Sequence, residues 1–162
     1  MADKSAGDRE LTITRVFDVT REKVFKAWTD QKLIRRWWGP RGVTNPICEW
    51  DARPKGKINI VMLAGKELGT FAGQKWPMVG TFREVKSQSR LAYTSQAMDE
   101  VKKVMLETET TVDLEDLGGR TKMRVRIVVT KADDPRSEFM LQGMEQGWNQ
   151  QIDKLCELLA KM

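Results

Sequence analysis

The chemistry open to this chain is bounded first by a residue it lacks. Its 162 residues include no histidine. That removes Ser–His–Asp and Cys–His nucleophiles, zinc sites built on imidazole, and the commonest general base. Proton transfer would fall to carboxylates, lysine, tyrosine, cysteine or water. Glu49, Asp51, Glu84, Glu107 and Glu109 are the carboxylates in strand-like surroundings. None stands in a metal-ligand spacing or beside a nucleophile, so they read as solvated surface. Cys48 and Cys156 are far apart, without a C-x-x-C spacing, and read as buried thiols acting as small apolar side chains. No catalytic residue, metal ligand or cofactor is expected.

The residues that remain are suited to holding a molecule. Arg15 shares a strand face with Leu11, Ile13 and Phe17. A charge there is costly unless paired. It is expected to bind an anion or carbonyl in a cavity, to pair with a carboxylate at the strand end, or to be twisted out to solvent. Trp76, Met78, Phe82 and Tyr93 alternate onto inward faces, and Met144 and Trp148 lie on the apolar stripe of a helix. Together they describe core, or an adaptable apolar pocket with a few polar tips. Gly143 and Gly147 stand one turn apart in that helix, where each costs about 1 kcal/mol relative to alanine. Either close contact with a sheet or the wall of a cavity would account for them. In LIRRWWGP, Trp37 and Trp38 point about 100° apart on a helix and so anchor a core corner, with Trp38 the one near a cavity mouth.

The elements that must position these residues follow from periodicity. LTITRVFDV alternates as a half-buried strand. Thr20 caps a helix carrying the Val24, Phe25 and Trp28 stripe, and Asp30 caps a second helix through Trp38, stopped by Gly39–Pro40. About six further strands follow. VTNPICEW carries an edge-type proline, and Gly118–Gly119 makes a tight hairpin. Asp134 and Pro135 open a last helix of roughly 27 residues. Its stripe is Leu141, Met144, Trp148, Ile152, Leu155, Leu159 and Met162. One long helix is the only element able to cover the apolar face of the sheet.

Composition narrows the setting. The net charge is +5 and the isoelectric point about 9.3, but the basic residues are interspersed with 23 acidic ones. No basic block marks a nucleic-acid partner. No apolar run approaches the roughly 18 residues of a membrane span. Residues 1–10 are polar and read as a flexible lead-in, without the apolar stretch of a signal peptide. A reducing, cytoplasmic setting is expected, with one domain over 11–162.

The segments VFKAWTD…LIRRWWGP, DARPKG, GTFREV, LAYT, TVDLEDLGGRT and GWNQQIDKL, in that order, resemble the activator of Hsp90 ATPase homologue 1-like family of the START/Bet v 1-like (SRPBCC) superfamily. The resemblance runs from about Leu11 to Leu159. Lys55–Gly56 stands where the family often has Gly–Gly. The resemblance implies an α+β helix-grip (Bet v 1-like) fold. That is a seven-stranded curved antiparallel sheet around a long C-terminal helix, with two short helices between strands 1 and 2 and a cavity inside. The expected function is binding of a hydrophobic, aromatic or lipid-like small molecule by a monomer or homodimer. The ligand candidates are Arg15, Trp38, Trp76, Met78, Phe82, Tyr93, Gly143, Met144, Gly147 and Trp148. Two alternatives stand beside it: a chaperone- or stress-related module with a protein partner, and a cyclase- or hydrolase-like enzyme in which Arg15 and Tyr93 would act.

Overall fold

Alternating apolar and polar residues build a single sheet. The computed structural model describes residues 9–162; residues 1–8, and most of the expected lead-in with them, lie outside the described part. The strands are β1 (Glu10–Phe17), β2 (Val43–Trp50), β3 (Lys57–Ala64), β4 (Lys75–Lys86), β5 (Arg90–Met98), β6 (Val104–Asp116) and β7 (Thr121–Lys131). They pair antiparallel in the order β1-β7-β6-β5-β4-β3-β2. β2 is an edge strand, and the register shifts between Thr44 and Ile47 around Pro46, where a missing N–H does least harm. Gly118 and Gly119 both take left-handed φ values of 78° and 92°. The tight turn between β6 and β7 requires this, and the Asp116 carboxylate accepts from the Gly118 N–H at 2.9 Å.

Two helices fill the gap between β1 and β2. α1 (Arg21–Thr29) is capped by Thr20, and α2 (Gln31–Trp37) by Asp30, whose carboxylate accepts from the Lys32 N–H at 2.9 Å. α2 ends one residue before the expected Trp38. The Trp38 carbonyl accepts from Asn45 Nδ2 at 3.0 Å and Lys154 Nζ at 3.3 Å. These bonds hold Trp38 extended (φ −66°, ψ 140°), and Gly39 follows at φ 87°.

The last helix, α3 (Ser137–Ala160), has 24 residues and starts later than the expected Asp134. Asp134 is engaged ahead of it. Its carboxylate accepts from the Arg136 backbone N–H at 2.8 Å and from the Arg136 guanidinium at 2.9 and 3.0 Å, with Lys103 at 3.4 Å. The Arg136 hydrogen bonds hold this carboxyl well below the usual carboxylate range. Asp134 therefore fastens a turn rather than capping the helix.

The corner between α1, α2 and the sheet is built from tryptophans with satisfied N–H groups, as buried indoles require. Trp28 Nε1 donates to Met123 Sδ at 3.2 Å, Trp37 Nε1 to the Ala27 carbonyl at 3.0 Å, and Trp50 Nε1 to the Trp28 carbonyl at 2.7 Å. Trp28 and Trp37 meet edge to face at 4.8 Å. Trp28→Ala is expected to lower unfolding stability by about 3–5 kcal/mol, read as a fall in the urea midpoint at unchanged slope.

Candidate functional site

The two halves of α3 sit differently on the sheet. In the second half Ile152, Leu155, Leu158 and Leu159 are buried. In the first half Met144 and Trp148 are only partly buried, and Phe139 is 66% exposed. A Cβ added at Gly143 or Gly147 would meet nothing within 4 Å outside the helix's own neighbouring backbone. Of the two accounts offered for these glycines, close helix–sheet contact is not what the geometry provides. They face open space.

Opposite lies the inward face of the sheet. Phe82, Tyr93, Thr110, Ile127 and Leu11 form a row of register partners across β4, β5, β6, β7 and β1. Met78, Phe82 and Tyr93 are buried there, while Trp76 at the end of β4 is partly exposed. A run of rings links sheet to helix: Tyr93 to Trp50 at 5.1 Å, Trp50 to Trp38 at 5.1 Å, and Trp38 to Trp148 at 5.8 Å. Trp37 and Trp38 are tilted by 55° and unstacked, but not through the expected helical spacing, since Trp38 lies past the end of α2 in an extended conformation. The structure thus gathers Trp38, Met78, Phe82 and Tyr93 on one inner surface, with Met144 and Trp148 packed against it.

Arg15 stands apart from that group. Its guanidinium donates to Asp153 Oδ1 at 2.8 Å and Asn149 Oδ1 at 3.2 Å, both on α3, and the side chain stays 31% exposed. It ties β1 to the helix. Four of the five carboxylates are engaged: Glu109 with Arg83 at 2.9 Å, Glu84 with Arg90 at 3.6 Å and Glu107 with Gln96 on the outer face of the sheet, and Asp51, just past β2, with Arg53 at 2.8 Å; Glu49 makes no such pair among the described residues. An open groove of about 490 Å³ lies among the outward-facing Val79, Thr81, Thr94 and Gln96, away from α3. No cluster of metal-ligating side chains occurs among the described residues.

Periodicity left several neighbours unmarked. Phe71 and Phe139 meet at 6.2 Å, with Phe71 also 6.4 Å from Trp76. Phe71 lies in a glycine-rich connection with no period, and Phe139 lies off the apolar stripe of α3. Ser95, Thr108 and Thr110 face inward, but in LETETT both faces of β6 are polar, so nothing flags the inner one.

A model of the activator of Hsp90 ATPase homologue 1-like family matches residues 18–160. The chain belongs to that family. A Silicibacter pomeroyi member has 24% identity and a TM-score of 0.78, covering 94% of this chain and 98% of that one. A protein from Arthrobacter aurescens has 24% identity and a TM-score of 0.79, covering 99% and 91%. A third, from Chromobacterium violaceum, has 24% identity and a TM-score of 0.75, covering 93% and 96%. These likenesses show the fold, the curved Bet v 1-like sheet with its C-terminal helix. A comparison with curated proteins found no match. No helix among the described residues is long and apolar enough to cross a membrane.

Two measurements probe the site directly. Because the added methyl meets nothing, Gly143→Ala and Gly147→Ala are each expected to raise stability by roughly 0.5–1 kcal/mol in this family member, read by urea denaturation. Destabilisation would show that the helix needs closer contact than the geometry gives it. The thiols differ as well. Cys156 is exposed on the outer side of α3, which corrects its reading as a buried residue, while Cys48 is half-buried and burial pushes its thiol up to about 11. At pH 8, maleimide is expected to label Cys156 and spare Cys48. Labelling at Cys48 should rise only as the pH approaches 11, since the thiolate is the reactive form.

Proposed function

We propose that the protein binds a hydrophobic small molecule, aromatic or lipid-like, between the sheet and the first half of α3. Members of its family commonly bind hydrophobic ligands. The observation that carries the reading here is the uneven seating of α3. Its second half is buried in the core, while its first half sets only the partly buried Met144 and Trp148 against an inner face of rings and methionines, and Gly143 and Gly147 meet nothing beyond the helix itself. Apolar lining with few polar groups is what such ligands require, and methionine adapts to irregular shapes. Binding without catalysis is the preferred form of this reading. Arg15 is engaged by Asp153, and burial raises the Tyr93 phenol far above neutral pH, so neither is poised for proton transfer. A cytoplasmic setting fits two free thiols.

A second reading is favoured by one observation. Phe139 at 66% and Phe71 at 39% exposure form an aromatic pair on the surface, and a protein partner could cover it. Photo-crosslinking from position 139 distinguishes the two, since a partner would be captured there only if the pair is a docking surface.

Native mass spectrometry of protein purified from its own cells tests the first reading. The expected result is a small-molecule mass bound one to one and lost on denaturation. Uniformly ligand-free protein with a solidly filled interior would overturn it.

A further inference from the structure

Tyr93 is 1% exposed, and its hydroxyl has no hydrogen-bond partner. Buried hydroxyls are almost always paired, and leaving one unpaired destabilises the fold. The ring does not need that oxygen. Its contacts are with Trp50 at 5.1 Å and Phe82 at 5.6 Å, and phenylalanine would make both. The Thr110 hydroxyl lies beside the phenol and tempers the effect of burial without completing a hydrogen bond of normal geometry. One register step along, Ser95 Oγ and Thr108 Oγ1 are bonded to each other at 2.7 Å. Hydroxyls therefore cluster on an inward face that is otherwise apolar.

A second buried group is also unmatched. Gln151 Oε1 accepts from the Gly39 N–H at 2.6 Å, which fixes the amide orientation, because an amide nitrogen cannot accept. Its Nε2 is left without a partner. Gln151 follows Trp148 by three residues on α3 and is bonded to the residue after Trp38, at the far end of the ring run that begins at Tyr93. Tyr93 and Gln151 can each donate, since burial keeps the phenol protonated. The third unmatched atom among the described residues, Asn45 Oδ1, is an acceptor on β2, beyond Trp38, and its Nδ2 is bonded to the Arg35 and Trp38 carbonyls. The inward neighbours of Tyr93 on β4 and β6, which include Phe82, Thr108, Thr110 and Val112, carry no charge. Arg15 is already engaged by Asp153 and Asn149. Lys154, the half-buried cation at the Trp38 end of the run, is taken up by the carbonyls of Trp38, Gly39 and Pro40. A carboxylate or phosphate at Tyr93 would therefore meet no free counter-charge, which is costly. A neutral acceptor needs none.

We infer that the ligand is an uncharged, largely apolar molecule bearing a hydrogen-bond-accepting oxygen, a carbonyl above all, and that the Tyr93 hydroxyl donates to it. This rests on the reading of the protein as a binder of an apolar small molecule and adds the polar group by which that molecule is oriented.

The test uses two rigid compounds of nearly equal shape, 9-fluorenone and fluorene, which differ by one carbonyl oxygen. Equilibrium dialysis against the wild-type protein is expected to show the ketone bound about tenfold tighter, the worth of one buried hydrogen bond. Tyr93→Phe is expected to bind fluorene as the wild type does and to lose the preference. Its Tm without ligand should equal or exceed that of the wild type, because an unmatched hydroxyl has been removed. Equal wild-type affinity for the two compounds overturns the inference while leaving the binding reading intact. So does a preference that survives in Tyr93→Phe, or a lowered Tm, which would mean that the hydroxyl is bonded within the protein. No saturable binding of either compound would count against the binding reading itself.

Discussion

One helix has to cover the apolar face of seven strands, and everything inside the protein depends on how it is held there. α3 is about 36 Å long at 24 residues. Around residues 149–157 it is fastened on both sides. On one, Lys154 Nζ donates to the carbonyls of Trp38, Gly39 and Pro40 at 3.3, 3.0 and 3.4 Å, and Gln150 and Gln151 accept from the N–H groups of Arg41 and Gly39. On the other, Arg15 reaches Asp153 and Asn149. At its start, Asp134, Arg136, Asp99 and Lys103 bind the preceding turn to the β5–β6 connection. A helix tied at both ends need not be packed along its first half. That permits an incompletely filled interior without loss of the helix.

The polar clasp also satisfies the turn that follows α2. The carbonyls of Trp38, Gly39 and Pro40 lie just past the helix, and carbonyls kept from water need donors. Lys154 supplies the donors, and burial lowers its own pKa in doing so. The turn that ends α2 and the second half of α3 are thus one structural unit. Trp38 is carried on that unit, which sets it between Trp50 and Trp148. The ring run from Tyr93 to Trp148 is therefore held at its Trp38 end by that clasp.

The parts legible in the sequence are those governed by a period or by one residue's backbone preference. Alternation on β7 from Met123 to Val129 marked its buried face, Thr20 and Asp30 marked helix starts, and Gly39 and Gly118–Gly119 marked left-handed turns. The start of α3 was not legible at Asp134, because a side chain that can cap a helix can equally bind an arginine two residues on. Cys156 and Phe139 were obscured for a related reason. A helix covered on one side only exposes apolar residues off its stripe, and a single such residue gives no pattern. The inward hydroxyls of β6 were hidden because a strand polar on both faces has no period to read.

The inner surface and the outer one solve opposite problems. Outside, acidic and basic residues pair across strands, as Asp113 does with Arg90 at 2.7 Å and Glu10 with Arg126 at 2.8 Å. Exposed pairs of this kind add little stability each, but they keep the outer face polar and solvated. Inside, the strands that flank Tyr93 present rings, aliphatic side chains and a few hydroxyls, and the charge nearest in the sheet, Arg15, is spent on the helix. An interior of that kind exerts little long-range electrostatic pull, and its few donors act only in the direction in which they are held. The clasp at α2 and the ring run hold those groups in place, and for this reason the fastening of α3 and the character of the inner face cannot be separated in this fold.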